Sequence, residues 1–242
     1  MLPLGGTARS AQGALMSAAA DAAGWYGKLA TLGDFAHRRL PPELIQIADA
    51  WLSRAMSASR SHFGERWLDV YLTAPVMRFA WAPGVAGTRW WFGLLMPSCD
   101  NVGRYFPLLI AQARARPPLD RIAFDHLEAW FDHLAAAATH TLAERASLEL
   151  FEQALFDAPP WPTPGAPAAL ARRGAPDAES YQLAAHVGVN HWLHSLATEA
   201  LQARFAGCSI WWRRGDRAHD TTASVVRGLP EPEAFAQMLS GG

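Results

Sequence analysis

The chain has 242 residues, half of them apolar and 18% charged, which is the composition of a folded globular protein with a sizeable core. A net charge of −1 gives no electrostatic footprint for nucleic acid or an anionic membrane surface. Two cysteines, Cys99 and Cys208, make neither a disulfide framework nor a zinc cluster, so the expected compartment is the reducing cytoplasm.

No run of 18 apolar residues marks a membrane span. Residues 1–22 are rich in Ala, Gly and Ser and carry Arg9 and Asp21. They lack the basic start and apolar run of a signal peptide. They read as a mobile tail, or as the product of an upstream start codon, ahead of one domain spanning 23–242.

Gly24–Leu29 reads as a first strand. Leu32-Gly33-Asp34 is turn chemistry, because Gly reaches positive φ and Asp bonds its own backbone. Pro41 and Pro42 open a helix, and Leu44, Ile47, Ala48, Trp51, Leu52 and Ala55 keep helical spacing to about Ser61. A short helix follows around Glu65–Leu72. "PVMRFAWAPGVAGTRWWFGLLMP" predicts a hairpin of strands Val76–Trp81 and Arg89–Met96. Tyr105–Gln112 is almost wholly apolar and predicts a central strand covered on both faces.

Asp120 is a candidate N-cap for a long helix striped by Leu127, Trp130, Phe131 and Leu134. Ser147–Phe156 is another helix. A Pro-rich loop at 158–178 follows, with six prolines between Ala158 and Asp177. Ser180–Phe205 reads as a long helix, Cys208–Arg213 as a strand returning to the earlier sheet, and Leu229–Leu239 as a terminal helix. The fold class is therefore α/β of the α+β type: a mostly antiparallel sheet with a hairpin, flanked by several helices.

Lys28 is the only lysine, against twenty arginines, and it sits in the Gly-bearing stretch "GWYGKLATLGDF". A phosphate loop needs four residues between Gly and Gly-Lys and then Ser or Thr. Here two residues separate the glycines and Leu29 stands where the hydroxyl belongs, so a turn presenting Lys28, Asp34 and Arg38 on a solvent-facing surface fits better. "PSCDNVGRY" (97–105) is a polar loop between apolar strands, placed beside that turn, in which Asp100 and Arg104 are spaced to pair. Cys99 has no histidine base nearby, as a thiol nucleophile requires.

His126, His133 and His140 recur every seven residues, roughly 10 Å apart along a helix, too far to share a metal. His191 and His194 have ligand spacing without a third ligand or a carboxylate base. No cofactor and no metal are expected. Trp211 and Trp212 must face opposite sides of a strand, so one is free to be partly exposed beside Arg213. Trp and Arg are the residues most enriched in binding hot spots. With no coherent catalytic set, the chain reads as a binding module rather than an enzyme.

In order, "GWYGKLATLGDFAHRRLP", "PVMRFAWAPGVAG", "GLLMPSCDNVGRYFPLLI", "SIWW" and "LPEPEAFAQML" resemble the TagF family of type VI secretion-associated proteins. The likeness is dense over Gly24–Ile110 and sparse over Ser209–Leu239. It implies a cytoplasmic, post-translational repressor of secretion-system assembly that acts with the system's forkhead-associated (Fha) protein, in a pathway with a Ser/Thr kinase and a phosphatase. Some members carry a fused phosphatase domain; this chain has neither the length nor the motif for one, so no catalytic residues carry over. The family usually has Pro after "GKL", where this chain has Ala30, and residues 1–22 have no family counterpart. The residues expected to form or support a partner-binding face are Lys28, Gly33, Asp34, Phe35, Arg38, Asp100, Arg104 and Trp211. The alternative is a constitutive part of the secretion apparatus or, further off, a small hydrolase or nucleotide-binding enzyme.

Overall fold

A computed structural model describes residues 22–118, 121–161, 171–175, 178–182, 189–213 and 223–240. The expected tail, the Asp120 cap and much of the Pro-rich segment lie outside these residues. So does Arg214.

Strand β1 (Gly24–Gly27) pairs with a short edge strand, β2 (Ala36–Arg38). Helix α1 (Pro42–Phe63) follows, then a 3₁₀ turn (Gly64–Arg66) and α2 (Trp67–Thr73). Next come β3 (Met77–Trp81), β4 (Trp90–Met96) and β5 (Leu108–Arg114). Helices α3 (Arg121–His140) and α4 (Leu148–Phe156) lead to a separate hairpin, β6 (Ala171–Ala175) with β7 (Ala178–Gln182). Helix α5 (Val189–Phe205), β8 (Cys208–Arg213), β9 (Ala223–Arg227) and α6 (Pro232–Leu239) complete the order.

The main sheet has the order β2-β1-β5-β4-β3-β8-β9 and every named pair in it is antiparallel. This is the expected α+β class. The late strand β8 joins β3, with Trp211 opposite Phe79.

Strand periodicity sends alternate residues to two cores. Tyr26, Phe79, Trp81, Trp91, Leu95 and Trp211 pack with Trp51 of α1 and Phe235 of α6. Trp25, Ala80, Trp90, Phe92, Leu94 and Ile110 pack with Leu127, Trp130 and Phe131 of α3 and Phe151 of α4. The sheet is thus covered on both faces, which explains its near-continuous apolar strands. The indole N–H of Trp51 donates to the Pro230 carbonyl at 2.8 Å, and that of Trp211 to Ser209 Oγ at 2.9 Å. One buried charge lies in this sheet: Arg78 of β3 donates to Glu128 and, at 2.5 Å, to Asp132, both on α3. These contacts tie the helix to the strand.

Three expectations change. Residues 36–38 and 223–227 form strands where none is predicted; both are sheet edges, pairing on one side only, and their exposure leaves no apolar alternation to read. Part of the Pro-rich segment is the β6–β7 hairpin rather than irregular loop, and α5 therefore starts at Val189 instead of Ser180.

Candidate functional site

At the end of β1 two loops, residues 28–35 and 97–107, lock into each other. Gly27 has φ +134°, and a Cβ there would lie 2.1 Å from the Pro107 carbonyl oxygen. Only glycine allows this approach. The chain then turns Lys28 inward. Its Nζ donates to Asp100 Oδ2 at 2.6 Å, and the two residues are 4% and 2% exposed.

A carboxylate buried this far needs its lone pairs filled, and Asp100 receives four donors. Lys28 Nζ and Arg104 Nε (2.7 Å) reach Oδ2; the backbone N–H groups of Arg104 (2.8 Å) and Val102 (3.2 Å) reach Oδ1. Burial pushes the carboxyl up, but these bonds outweigh it and hold it well below the usual carboxylate range.

Further bonds cross between the loops. Ser98 Oγ donates to the Lys28 carbonyl (2.7 Å), Asn101 N–H to the Leu32 carbonyl (2.9 Å) and Arg104 Nη2 to the Gly33 carbonyl (2.5 Å). From beneath, the Tyr71 hydroxyl of α2 donates to the Ser98 carbonyl and accepts from its N–H, both at 2.9 Å. Burial raises this phenol far above its ordinary range and keeps it protonated. The Phe35 ring covers the pair: it lies 4.9 Å from Lys28 Nζ and edge-on to Phe106 at 4.8 Å.

What remains outside is the tip. Asp34 is 80% and Arg104 56% exposed by side chain; Phe35 is 44% and Val102 68% exposed. The loops therefore present a mixed apolar and charged surface on a buried ionic anchor.

Six of the expected residues, Lys28, Gly33, Asp34, Phe35, Asp100 and Arg104, meet here. Two do not. Arg38 pairs with Trp25 toward the other end of β1, its Nε 3.9 Å from Glu152. Trp211 lies inside the α1–α6 core, tilted against Trp51 at 5.4 Å. The solvent-facing reading of Lys28 is overturned, because the carboxylate that draws it inward lies 72 residues away. Of the two tryptophans left open, Trp211 is the buried one, at 1% exposure, and does not line the expected face. Trp212 is the partly exposed one, against Phe131 at 5.1 Å. Gly33 is also not at positive φ; Gly27 and Gly103 are.

Cys99 borders the anchor, and burial, reinforced by Asp100 and opposed by Lys28, pushes its thiol up. His133 faces the Ala154 carbonyl at 2.7 Å, while His126 and His140 are exposed. Among the described residues no group of three or more His, Cys, Asp or Glu is placed to hold a metal ion, and no helix is long and apolar enough to cross a membrane. The roles of Tyr71 and Ser98 escape sequence reasoning: one lies in a short amphipathic helix and the other in a loop, with no local pattern joining them.

The family profile of the TagF N-terminal domain, type VI secretion system-associated, matches residues 24–157. The chain matches no curated protein. Among solved structures it is similar to PA0076 from Pseudomonas aeruginosa PAO1, with 36% identity, a TM-score of 0.67 and coverage of 91% of this chain and 94% of that one.

Proposed function

The chain belongs to the TagF family of type VI secretion-associated proteins, and from that premise we propose that it is a non-catalytic repressor of secretion-system assembly. It acts in the cytoplasm by capturing the system's forkhead-associated protein. The observation that supports this reading is the exposed tip, Asp34, Phe35, Val102 and Arg104, held on the Lys28–Asp100 anchor. A surface prepared in this way loses little conformational entropy on binding, and an aromatic beside an arginine is a hot-spot composition.

The distinction from a constitutive component is made by gene deletion. Loss of a repressor raises secretion; loss of a component abolishes it. Wild-type complementation should return secretion to its low level, and a folded Asp34→Lys plus Phe35→Ser variant should not. Abolished secretion in the deletion strain would overturn the reading.

A further inference from the structure

The two edges of the main sheet differ in how they are guarded. The edge at β2 is three residues long and carries His37 and Arg38. Short length and charge keep a sheet edge from pairing with another chain. At the other edge β9 is five residues long, and among the described residues it pairs only with β8. Its sequence, ASVVR, has no proline, lysine or acidic residue, and its one charge stands at the end. Four of the five residues are exposed, Val225 among them at 47%.

The direction of the β9 backbone groups follows from its neighbours. The Ala82 N–H donates to the Cys208 carbonyl at 3.0 Å, and the Gly228 N–H to the Gly207 carbonyl at 2.7 Å. Bonded pairs alternate along an antiparallel ladder. In β8 the residues in step with Cys208 therefore serve β3, while Ser209 and Trp211 serve β9. Their β9 partners, Val226 and Ser224, direct N–H and C=O to β8. Ala223, Val225 and Arg227 turn theirs outward, evenly spaced about Val225. A two-fold axis at Val225 sets that residue opposite its own copy and Ala223 opposite Arg227. Every outward group then meets an outward group, and no like charges face each other. Val225 shares its sheet face with its partner Ile210, so the join is apolar as well.

We propose that β9 is a self-pairing edge, at which two copies of this chain join antiparallel about Val225 and continue one sheet across both. The inference rests on strand phase and does not depend on the repressor reading. A strand of a different protein could use the same outward groups, but the symmetry about Val225 and the match of Ala223 to Arg227 favour a second copy. Its test is sedimentation equilibrium of the full chain from low to high micromolar concentration. A species of twice the chain mass is expected at the upper end. Val225→Pro removes an N–H that β8 does not use, and Val225→Lys sets two charges face to face. Each variant, folded by melting curve, should associate about tenfold or more weakly. Val225→Cys should form a covalent dimer under mild oxidation, since such bonded pairs lie about 5.5 Å apart at Cα, within disulfide reach. Arg145→Cys, in an exposed turn elsewhere, should not. A single-chain mass for wild type at every concentration, undiminished association of folded Val225→Lys, or cross-linking of Val225→Cys no faster than of Arg145→Cys, would overturn the proposal.

Discussion

The two ends of β1 handle charge in opposite ways. At the Gly27 end, Lys28 and Asp100 are buried and the carboxylate has four donors. At the Gly24 end, arginines line open space, anchored from behind by Glu152 and Trp161. The first arrangement is closed: its charges are spent on joining two loops, and only their tip is available to a partner. The second is more open: Arg39 bonds Ala23 and Glu152, Arg114 stacks on Trp161 and Arg89 is exposed. A cationic residue in a Gly-bearing stretch therefore says little by itself. What decides its role is how deeply the fold buries it with its carboxylate.

This contrast predicts unequal responses to removing one cation. Lys28→Met leaves Asp100 buried with Arg104 as its only side-chain partner, and should lower the melting temperature by roughly 10 °C. Arg89→Ala should change it by less than about 2 °C. Calorimetric scans of both variants check this; equal shifts would erase the distinction between the two ends.

Within the closed end, the glycines are unequal as well. Gly27→Ala meets the Pro107 carbonyl at positive φ and should cost at least about 2 kcal/mol. Gly33→Ala, whose Cβ would sit 3.5 Å from Asn101 Oδ1, should stay within about 0.5 kcal/mol. Urea titrations of the two variants give the difference.

Acid sharpens the comparison further. Folded Asp100 resists protonation, so below about pH 4 the unfolded chain takes up a proton that the folded chain does not. The anchor's contribution is full above that range and falls as pH drops through it. Wild-type stability should therefore decline more steeply on acidification than that of Asp100→Asn, as denaturation at stepped pH will show. Glu152 shifts in the same direction: burial raises it, and bonds from Arg39 and Trp25 outweigh that. Wild type and Asp100→Asn therefore both keep some acid sensitivity.

The smallest effect concerns the turn closed by Leu32 N–H on the Leu29 carbonyl at 2.9 Å. Ala30 holds its second position, where proline is favoured. Ala30→Pro should add about 0.5 kcal/mol by restricting the unfolded chain, measurable as a raised denaturation midpoint.

Much of the frame is legible in the sequence because its signals are local. Alternation and apolar runs mark β3, β4, β5 and β8, helical spacing marks α1 and α3, and Ser147 caps α4 through its Oγ, which accepts from Leu150 N–H. The proximity of the two loops is also legible, as adjoining polar turns between strands. The inward turn of Lys28 is not, because it depends on Asp100 arriving from a distant hairpin end. Trp211 and Trp212 show the same limit. Strand alternation sets them on opposite faces, but which face is fully covered depends on α1 and α6. The arginine cleft is illegible for a third reason: Arg39, Arg89 and Arg114 belong to three separate segments and share no spacing.

The central claim is that the tip at the Gly27 end, rather than the cleft at the Gly24 end, is the surface that holds the forkhead-associated protein. Isothermal titration of that protein with wild type, with Asp34→Lys plus Phe35→Ser, and with Arg89→Glu tests it most directly. The account predicts that the tip variant, folded by melting curve, binds about tenfold or more weakly, while Arg89→Glu binds like wild type. Undiminished binding by the folded tip variant, or lost binding by Arg89→Glu, would contradict it.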